Sequence, residues 1–230
     1  MLTTNGLLRL MTYLSPSFPV GAYTYSHGVE FAIEDGLVTS GETLQNWTEG
    51  ALLFGAGHTD GMFFCRAWEL ADQGDLDGLA ELNSYANAMR PTSEMTLEGE
   101  AQGRAFLTIL LDVMPSPELE QFASLLKEQD QLAAYPVIVG AVAAFQDIDC
   151  QPALVAYLHA FAANLISAGV RLVPLGQTAG QKALMGLEGA VEEAATSALK
   201  TDFKDIGSSA PVIDWTSMQH ETQYTRLFRS

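Results

Sequence analysis

Three side chains of this sequence could together carry out acid–base chemistry, namely Glu30, His58 and Glu94. Two carboxylates and an imidazole exchange protons near neutral pH when a cleft gathers them and shifts their pKa values. They lie far apart along the chain, so only the tertiary fold could bring them together. The sequence therefore leaves a helical acid–base enzyme open as an alternative function.

A second group of candidate ligands is His58, Asp60 and Cys65. His58 and Cys65 are seven positions apart, so on a helix they could share one face and bind a metal ion. A single histidine on an apolar helix is more often a structural residue. Histidines and thiols are also too sparse for metal storage. We therefore predict no metal site and no catalytic residue.

Residues 176–182 contain two glycines and Lys182, which superficially resembles a phosphate-binding loop. A P-loop requires a different glycine spacing and a Ser or Thr directly after the lysine, and neither is present. The G-x-S-x-G elbow of serine hydrolases is also absent from the sequence. We expect that the protein alone neither binds nor hydrolyses GTP.

The charge balance limits the possible partners. The 230 residues include 28 acidic and 11 basic side chains, which gives a net charge of −17. Nucleic acids and anionic membranes require clustered Lys and Arg, so neither is an expected partner, whereas a basic protein is. Two cysteines make no disulfide framework, the N-terminal residues lack the basic start of a signal peptide, and the apolar run 137–145 is too short to cross a bilayer. These features predict a cytoplasmic protein.

Helical periodicity dominates the chain and predicts an all-α fold. Thr39 and Glu42 match a capping box, and Ser116 followed by Pro117 matches a second helix start. Residues 137–145 are apolar all round, which favours a central buried helix. No alternating strand pattern recurs, so we predict a single domain of roughly ten helices over residues 1–206.

Residues 207–211 have the composition of a linker, and residues 207–230 therefore form a separate C-terminal segment. This segment ends with Tyr224, Leu227 and Phe228 close to arginines, a combination that is enriched at protein interfaces. We expect it to have few contacts with the helical domain and to be mobile until it docks on a partner. A C-terminal helix packed on its own domain is the alternative.

Residues 15–30 form a loop in which Pro16 and Pro19 restrict φ, while Gly21 and Gly28 allow backbone conformations that other residues avoid. Tyr23 and Tyr25 lie inside this stiff segment. It is either a buried corner or a surface that presents its aromatic side chains.

Three blocks of the sequence resemble the urease accessory protein family UreF. The first is SPSFPVG followed by YSHGVE in residues 15–30, the second is GVRLVPLGQ in residues 169–177, and the third is HETQYTRLFRS in residues 220–230. They occur in the family's order and extend over nearly the whole chain. The middle departs from the family pattern, because Glu94, Glu98 and Gly103 match, whereas arginines are replaced at Ser93, Thr96, Glu100 and Gln102.

The resemblance implies an all-α, dimeric, non-catalytic chaperone for nickel insertion that has no resident cofactor and passes nickel transiently through an internal passage. It implies a bridge between UreD (also called UreH) and the GTPase UreG, regulation of GTP hydrolysis by UreG, and docking of the assembly on apo-urease. The residues implied in contact with UreD are His220, Glu221, Tyr224, Arg226, Leu227 and Phe228. Those implied in contact with UreG are Arg171, Pro174, Gly176 and Gln177. The signature loop comprises Pro19, Gly21, Tyr25, Ser26, Gly28 and Glu30.

Overall fold

The fold was obtained as a computed structural model that describes residues 2–230, and every regular element in that range is helical. The all-α prediction is confirmed. The α-helices in residues 2–230 number twelve, slightly more than the roughly ten predicted. Their bounds are α1 Thr4–Tyr13, α2 Val29–Glu34, α3 Gly41–Leu53, α4 Ala56–Asp72, α5 Leu76–Ala88, α6 Ser93–Val113, α7 Pro117–Glu128, α8 Tyr135–Phe145, α9 Cys150–Leu172, α10 Gln177–Gly186, α11 Glu188–Lys200 and α12 Pro211–His220. Short 3₁₀ turns occupy Ala22–Thr24 and Phe203–Asp205.

The centre of the fold is the α4–α8 pair. Nearly all of α8 is buried, as its apolar composition predicts. Gly140 makes the close approach possible, since a Cβ at this position would lie 2.4 Å from the carbonyl oxygen of Phe64. Any larger residue would push the two helices apart, so the backbone contact depends on glycine.

The longest helix, α9, runs through the same core and contacts α2, α3, α4, α8 and α11. By length and composition it could span a membrane, but half of its most apolar stretch is buried inside the fold. This burial is typical of the core helix of a globular domain.

Helix α3 starts differently from the prediction. Its N-cap is Ser40, whose Oγ accepts from the backbone N–H of Thr43 at 3.2 Å, while Thr43 Oγ1 accepts from the backbone N–H of Ser40 at 2.9 Å. The reciprocal box therefore lies one residue later than Thr39 and Glu42, because the hydroxyl of Thr43 takes the part that a glutamate usually plays. The predicted N-cap Ser116 before Pro117 is confirmed.

The C-terminal segment packs against the rest of the chain, and the expectation of few contacts is wrong. Helix α12 lies against α2 and α6. A Cβ at Gly28 would lie 2.8 Å from the backbone nitrogen of Ser217, and the hydroxyls of Thr92 and Ser217 are 2.8 Å apart. Apolar contacts add to these, since Ile213 is buried in the core and the ring of Trp215 meets that of Phe31 in α2 edge-on, with centroids 5.4 Å apart.

Candidate functional site

The last residues of the chain pair with the backbone of the signature loop. The N–H of Arg229 donates to the carbonyl of Thr24 at 2.8 Å, and the N–H of Ser26 donates to the carbonyl of Ser230 at 2.7 Å. The Ser26 hydroxyl donates to the same carbonyl oxygen. The first and third resemblance blocks are therefore adjacent in space.

Glu30 anchors the C-terminal segment from the first turn of α2. Its carboxylate accepts from the backbone N–H groups of Leu227 at 2.7 Å and of Phe228 at 2.9 Å. The side chain is almost fully buried, so these charge-assisted bonds replace the water that the carboxylate gave up. Glu30 therefore determines where residues 227 and 228 lie.

His220 lies between two buried carboxylates. Its Nε2 is 3.1 Å from Glu30 Oε2, and its Nδ1 is 2.7 Å from Glu94 Oε2. Arg226 donates to the other oxygen of Glu94 at 2.7 Å. The imidazole therefore links the two carboxylates, and Arg226 adds a positive charge beside Glu94. Burial without such pairing would be costly.

Glu98 forms the neighbouring cluster one turn further along α6. It accepts from the hydroxyl of Ser230 at 2.8 Å and from the side-chain amide of Gln102 at 2.9 Å, and it lies 3.2 Å from His27 Nδ1. Burial pushes the pKa of Glu98 upward. His27, the Ser230 hydroxyl and Arg90 outweigh that effect, so that the pKa lies below its ordinary value.

Arg171, in the second resemblance block, contacts both the C-terminal segment and the signature loop. Its guanidinium lies 4.3 Å above the ring of Phe228 and donates from Nη2 to the carbonyl of Tyr23 at 2.8 Å. This cation–π contact and hydrogen bond join the end of α9 to the C-terminal segment and to the signature loop. The three blocks therefore form one structural unit.

The predicted contact residues separate into two groups. Tyr224 and Leu227 are exposed, as are Glu221 and Arg226, whereas His220 and Phe228 are buried inside the chain itself. Phe228, which the sequence suggests as an anchor on a partner, instead packs beneath Arg171. The residues implied for the GTPase contact are all exposed, namely Arg171, Pro174, Gly176 and Gln177.

Part of the signature loop is buried, and only one of its two tyrosines, Tyr23, is exposed to solvent. Tyr25 and Ser26 are buried, and Pro19 is exposed. Gly21 and Gly28 both have a positive φ, in the left-handed region that favours glycine. The interpretation of this loop as a buried corner is therefore correct for Tyr25 and Ser26. The interpretation as a surface that presents aromatic side chains is correct for Tyr23.

A cavity of about 630 Å³ lies behind this unit. Arg90 pairs with Asp60 at 2.7 Å on its wall, and the hydroxyl of Tyr157 donates to the same carboxylate at 2.9 Å. His27 Nε2 and Arg90 Nε also belong to this lining and have no hydrogen-bond partner among residues 2–230. Sequence reasoning missed Arg90 and Tyr157, because neither belongs to a recognisable motif.

Comparison with known proteins identifies the family. The sequence model of UreF matches residues 38–188. The urease accessory protein UreF of Granulibacter bethesdensis is 45% identical and aligns with 97% of this chain and 94% of its own length. The corresponding protein of Magnetococcus marinus is 42% identical over 100% of this chain and 100% of its own length. That of Bradyrhizobium sp. is 45% identical over 97% of this chain and 92% of its own length.

The chain belongs to the UreF family of urease accessory proteins. This family acts as a chaperone in urease maturation, with a role in nickel insertion, and its members are not enzymes. The prediction of a non-enzymatic protein is thereby confirmed. The alternative acid–base set is also not assembled as proposed, since Glu30 and Glu94 share His220, and in residues 2–230 no hydrogen bond or ion pair joins His58 to either of them.

The departures from the UreF pattern fall partly inside the site. Ser93 donates from its backbone N–H at 3.0 Å and from its hydroxyl at 2.7 Å to Glu221. Gln102, at another position where the family pattern has arginine, donates to Glu98. Uncharged hydrogen-bond donors thus occupy these two positions in this member of the family.

The remaining ligand candidates lie elsewhere. Partial burial lowers the pKa of His58 in α4. Within the part of the chain that the structure describes, no group of three or more His, Cys, Asp or Glu side chains is placed to hold a metal ion. The two cysteines, which are far apart in the sequence, are neighbours in the fold. The pKa of Cys65 is raised, mainly by its contact with the Cys150 thiol and secondly by burial.

Proposed function

We propose that this UreF-family chain bridges a UreD-type (UreH-type) protein to the nickel-carrying GTPase UreG, and that the assembly docks on apo-urease to deliver nickel. The observation that carries the proposal is the position of Phe228. It lies directly beneath Arg171 of the GTPase-type surface and next to the exposed Leu227 of the UreD-type surface. A single short segment therefore supports both candidate contact surfaces.

The proposed UreD-type surface belongs to the C-terminal unit 207–230. Tyr224 and Leu227 are exposed, and the outer side of α12 adds three large exposed apolar residues, Val212, Trp215 and Met218. Exposed aromatic and aliphatic side chains at this density mark an interaction surface. The buried His220 and Phe228 act from below, since they hold the segment in the shape that presents these anchors.

The proposed GTPase-type surface is the end of α9 with the loop that follows it. Arg171 is suited to contact a carboxylate or phosphate of the GTPase, and its side chain is already oriented by Tyr23 and Phe228. Regulation of GTP hydrolysis by this chain would act through that contact, since the sequence has no phosphate-binding loop of its own.

Nickel is the cargo of the proposed assembly rather than a resident cofactor. The cavity behind the C-terminal segment is the candidate for an internal passage, since His27, Asp60 and Glu98 offer nitrogen and oxygen donors on its wall. We further propose a homodimer in the cytoplasm, in keeping with the composition and the family resemblance.

Pull-down and calorimetry with purified UreD-type and UreG-type proteins test the proposal. Tyr224→Ala combined with Leu227→Ala should weaken UreD-type binding at least about tenfold, because exposed aromatic anchors dominate such interfaces. Leu199→Ala, another exposed apolar residue, is the matched control. Unchanged UreD-type binding by the double variant would contradict the proposed surface.

Arg171 is tested separately from the UreD-type anchors. Arg171→Ala should reduce nickel-dependent urease activation and UreG-type binding, and Arg171→Lys should restore little, since lysine cannot reproduce the planar contact. The chain without partners should show no saturable GTP binding at micromolar concentrations. Normal activation by Arg171→Ala would assign this residue to structure alone.

A further inference from the structure

Cys65 and Cys150 are the two cysteines of the chain, and the fold brings their thiol groups into contact. Cys65 lies in the middle of α4 and is buried, whereas Cys150 is the first residue of α9 and is half-buried. They are far apart along the chain, so only the packing of these two helices can make them neighbours. Neither of the proposed contact surfaces contains them.

Helices α4 and α9 run antiparallel where they meet. Near the start of α4, Asp60 accepts a hydrogen bond from the hydroxyl of Tyr157 at 2.9 Å. Near its end, the indole N–H of Trp68 donates to the carbonyl of Ile148, just before α9, at 2.8 Å. The two cysteines lie between these two hydrogen bonds, so the helices are held together on both sides of the thiols.

The register of this contact places the two sulfur atoms opposite each other. A Cβ at Gly61 would lie 3.7 Å from Cδ1 of Leu154. Cys65 follows Gly61 by four residues, and Cys150 precedes Leu154 by four residues. Residues four apart share one face of a helix, so the thiols meet one turn further along the same antiparallel contact.

Two thiols in contact can share a metal ion or form a disulfide. A structural zinc site takes four ligands, and the described residues 2–230 place no group of three or more His, Cys, Asp or Glu side chains around a common point for a metal ion. A disulfide needs only the two sulfur atoms. In the cytoplasm, where this chain is proposed to act, such bonds are usually transient and respond to the redox state.

We infer that Cys65 and Cys150 are a redox modification site, at which a peroxide converts the two thiols into a reversible disulfide. Cys150 reacts first because it is the more accessible of the two, and the buried Cys65 then resolves the product. Contact with the Cys150 thiol and burial raise the pKa of Cys65, so Cys65 keeps its proton until this second step.

The two steps balance with hydrogen peroxide as the oxidant. The Cys150 thiolate attacks one peroxide oxygen, the O–O bond breaks, and the other oxygen leaves as water with the proton that the thiol released. Cys150 is then a sulfenic acid. The Cys65 sulfur attacks the Cys150 sulfur, the S–O bond breaks, and the hydroxyl leaves as a second water with the Cys65 proton. The two sulfur atoms are oxidised by two electrons in all, and a small thiol reductant reverses the bond by exchange.

The disulfide would join the middle of α4 to the first turn of α9. Cross-links between distant residues stabilise a fold mainly by restricting the unfolded chain. The chain would therefore resist unfolding better under oxidising conditions than under reducing ones. Neither nickel nor a partner takes part, so this inference goes beyond the proposed function and stands independently of it.

The test uses the reduced full-length chain and a small molar excess of hydrogen peroxide. Intact mass spectrometry should show the loss of two hydrogen atoms, and peptide mapping without reductant should join the peptides of Cys65 and Cys150. Dithiothreitol should reverse both changes. The Tm of the oxidised chain should be several degrees higher than that of the reduced chain.

Two free thiols after this treatment, oxygen adducts on separate cysteines, or disulfides between chains would overturn the inference. A Tm that is unchanged or lower would show that the bond does not fit the native packing. In concentrated urea the same bond should form at least about tenfold more slowly, because the unfolded chain no longer holds the thiols together. Equal rates would contradict the role of the fold.

Single substitutions test the order of the steps. In Cys65→Ala the sulfenic acid of Cys150 has no resolving thiol, so dimedone should trap it. In Cys150→Ala the buried Cys65 should be labelled at least about tenfold less. Circular dichroism checks the folding of both variants, and the wild-type measurement depends on neither. Equal labelling of two folded variants would refute Cys150 as the thiol that reacts first.

Discussion

The anchoring of the C-terminal segment by Glu30 can be tested with one nearly isosteric substitution, Glu30→Gln. In the wild type both carboxylate oxygens accept hydrogen bonds, from the N–H groups of Leu227 and Phe228 and from His220 Nε2. Glutamine keeps one acceptor oxygen and replaces the other with an NH₂ group. At least one buried donor of the segment would then face another donor.

The size of the effect follows from these contacts. A hydrogen bond to a charged group contributes about 1.5–3 kcal/mol, and an unsatisfied buried donor costs about 1–3 kcal/mol. The loss of the negative charge beside His220 adds to both. We therefore expect the docked state of residues 221–230 to lose about 3–4 kcal/mol, which corresponds to roughly 150- to 1,000-fold faster exchange of protected amides.

Hydrogen exchange with site resolution measures this directly at the amides of Leu227 and Phe228. Glu34→Gln is the control, because Glu34 accepts a hydrogen bond from Gln223 at an exposed site. Surface substitutions of this kind usually change stability by less than about 0.5 kcal/mol. Helices α4 and α8 should keep their protection in both variants. A folded Glu30→Gln protein in which the two amides exchange within about threefold of the wild-type rate would refute the anchoring role.

Three further predictions concern stability. Gly28→Ala should lower the Tm by roughly 5–12 °C, because it combines a positive φ with a Cβ 2.8 Å from the nitrogen of Ser217. Gly36→Ala also has a positive φ but meets no described atom within 4 Å, so calorimetry should show a clearly smaller loss, and equal losses would contradict the docking of α12. Glu98 has a lowered pKa, so its contribution is present above the ordinary value of 4.5 and is lost as the pH falls through the lower folded value. Urea unfolding between about pH 5 and pH 3 should therefore lose more free energy in the wild type than in Glu98→Gln, and parallel curves would argue against this. Truncation before Asp214 uncovers Glu30, Glu94 and Glu98, so the Tm should fall by several degrees, and an unchanged Tm would show that the segment adds no stability.

Local signals in the sequence were sufficient for the class of the fold. The apolar run 137–145 is hydrophobic on all sides and forms the buried helix α8, and Ser116 with Pro117 begins α7 as its chemistry predicts. Capping and hydrophobic periodicity act over short stretches of neighbouring residues, so they can be read without knowledge of the rest of the chain. The one-residue shift of the α3 capping box shows where such reasoning ends, because Ser40 and Thr43 compete locally with Thr39 and Glu42.

The three resemblance blocks identified the family from the sequence, and their residues include those that build the site. By itself the sequence therefore determined which segments form helices and that it contains no phosphate-binding loop. It also singled out the aromatic residues Tyr224 and Phe228 near the C-terminus. Tertiary structure decided which of these face inward. Phe228, expected to anchor a partner, instead lies beneath Arg171, and His220 lies between Glu30 and Glu94. Both positions depend on contacts between residues that are distant in sequence. Such contacts produce no periodic pattern in the sequence. Buried charges pair according to their proximity in the folded chain and the cost of removing them from water, and neither can be read from neighbouring residues.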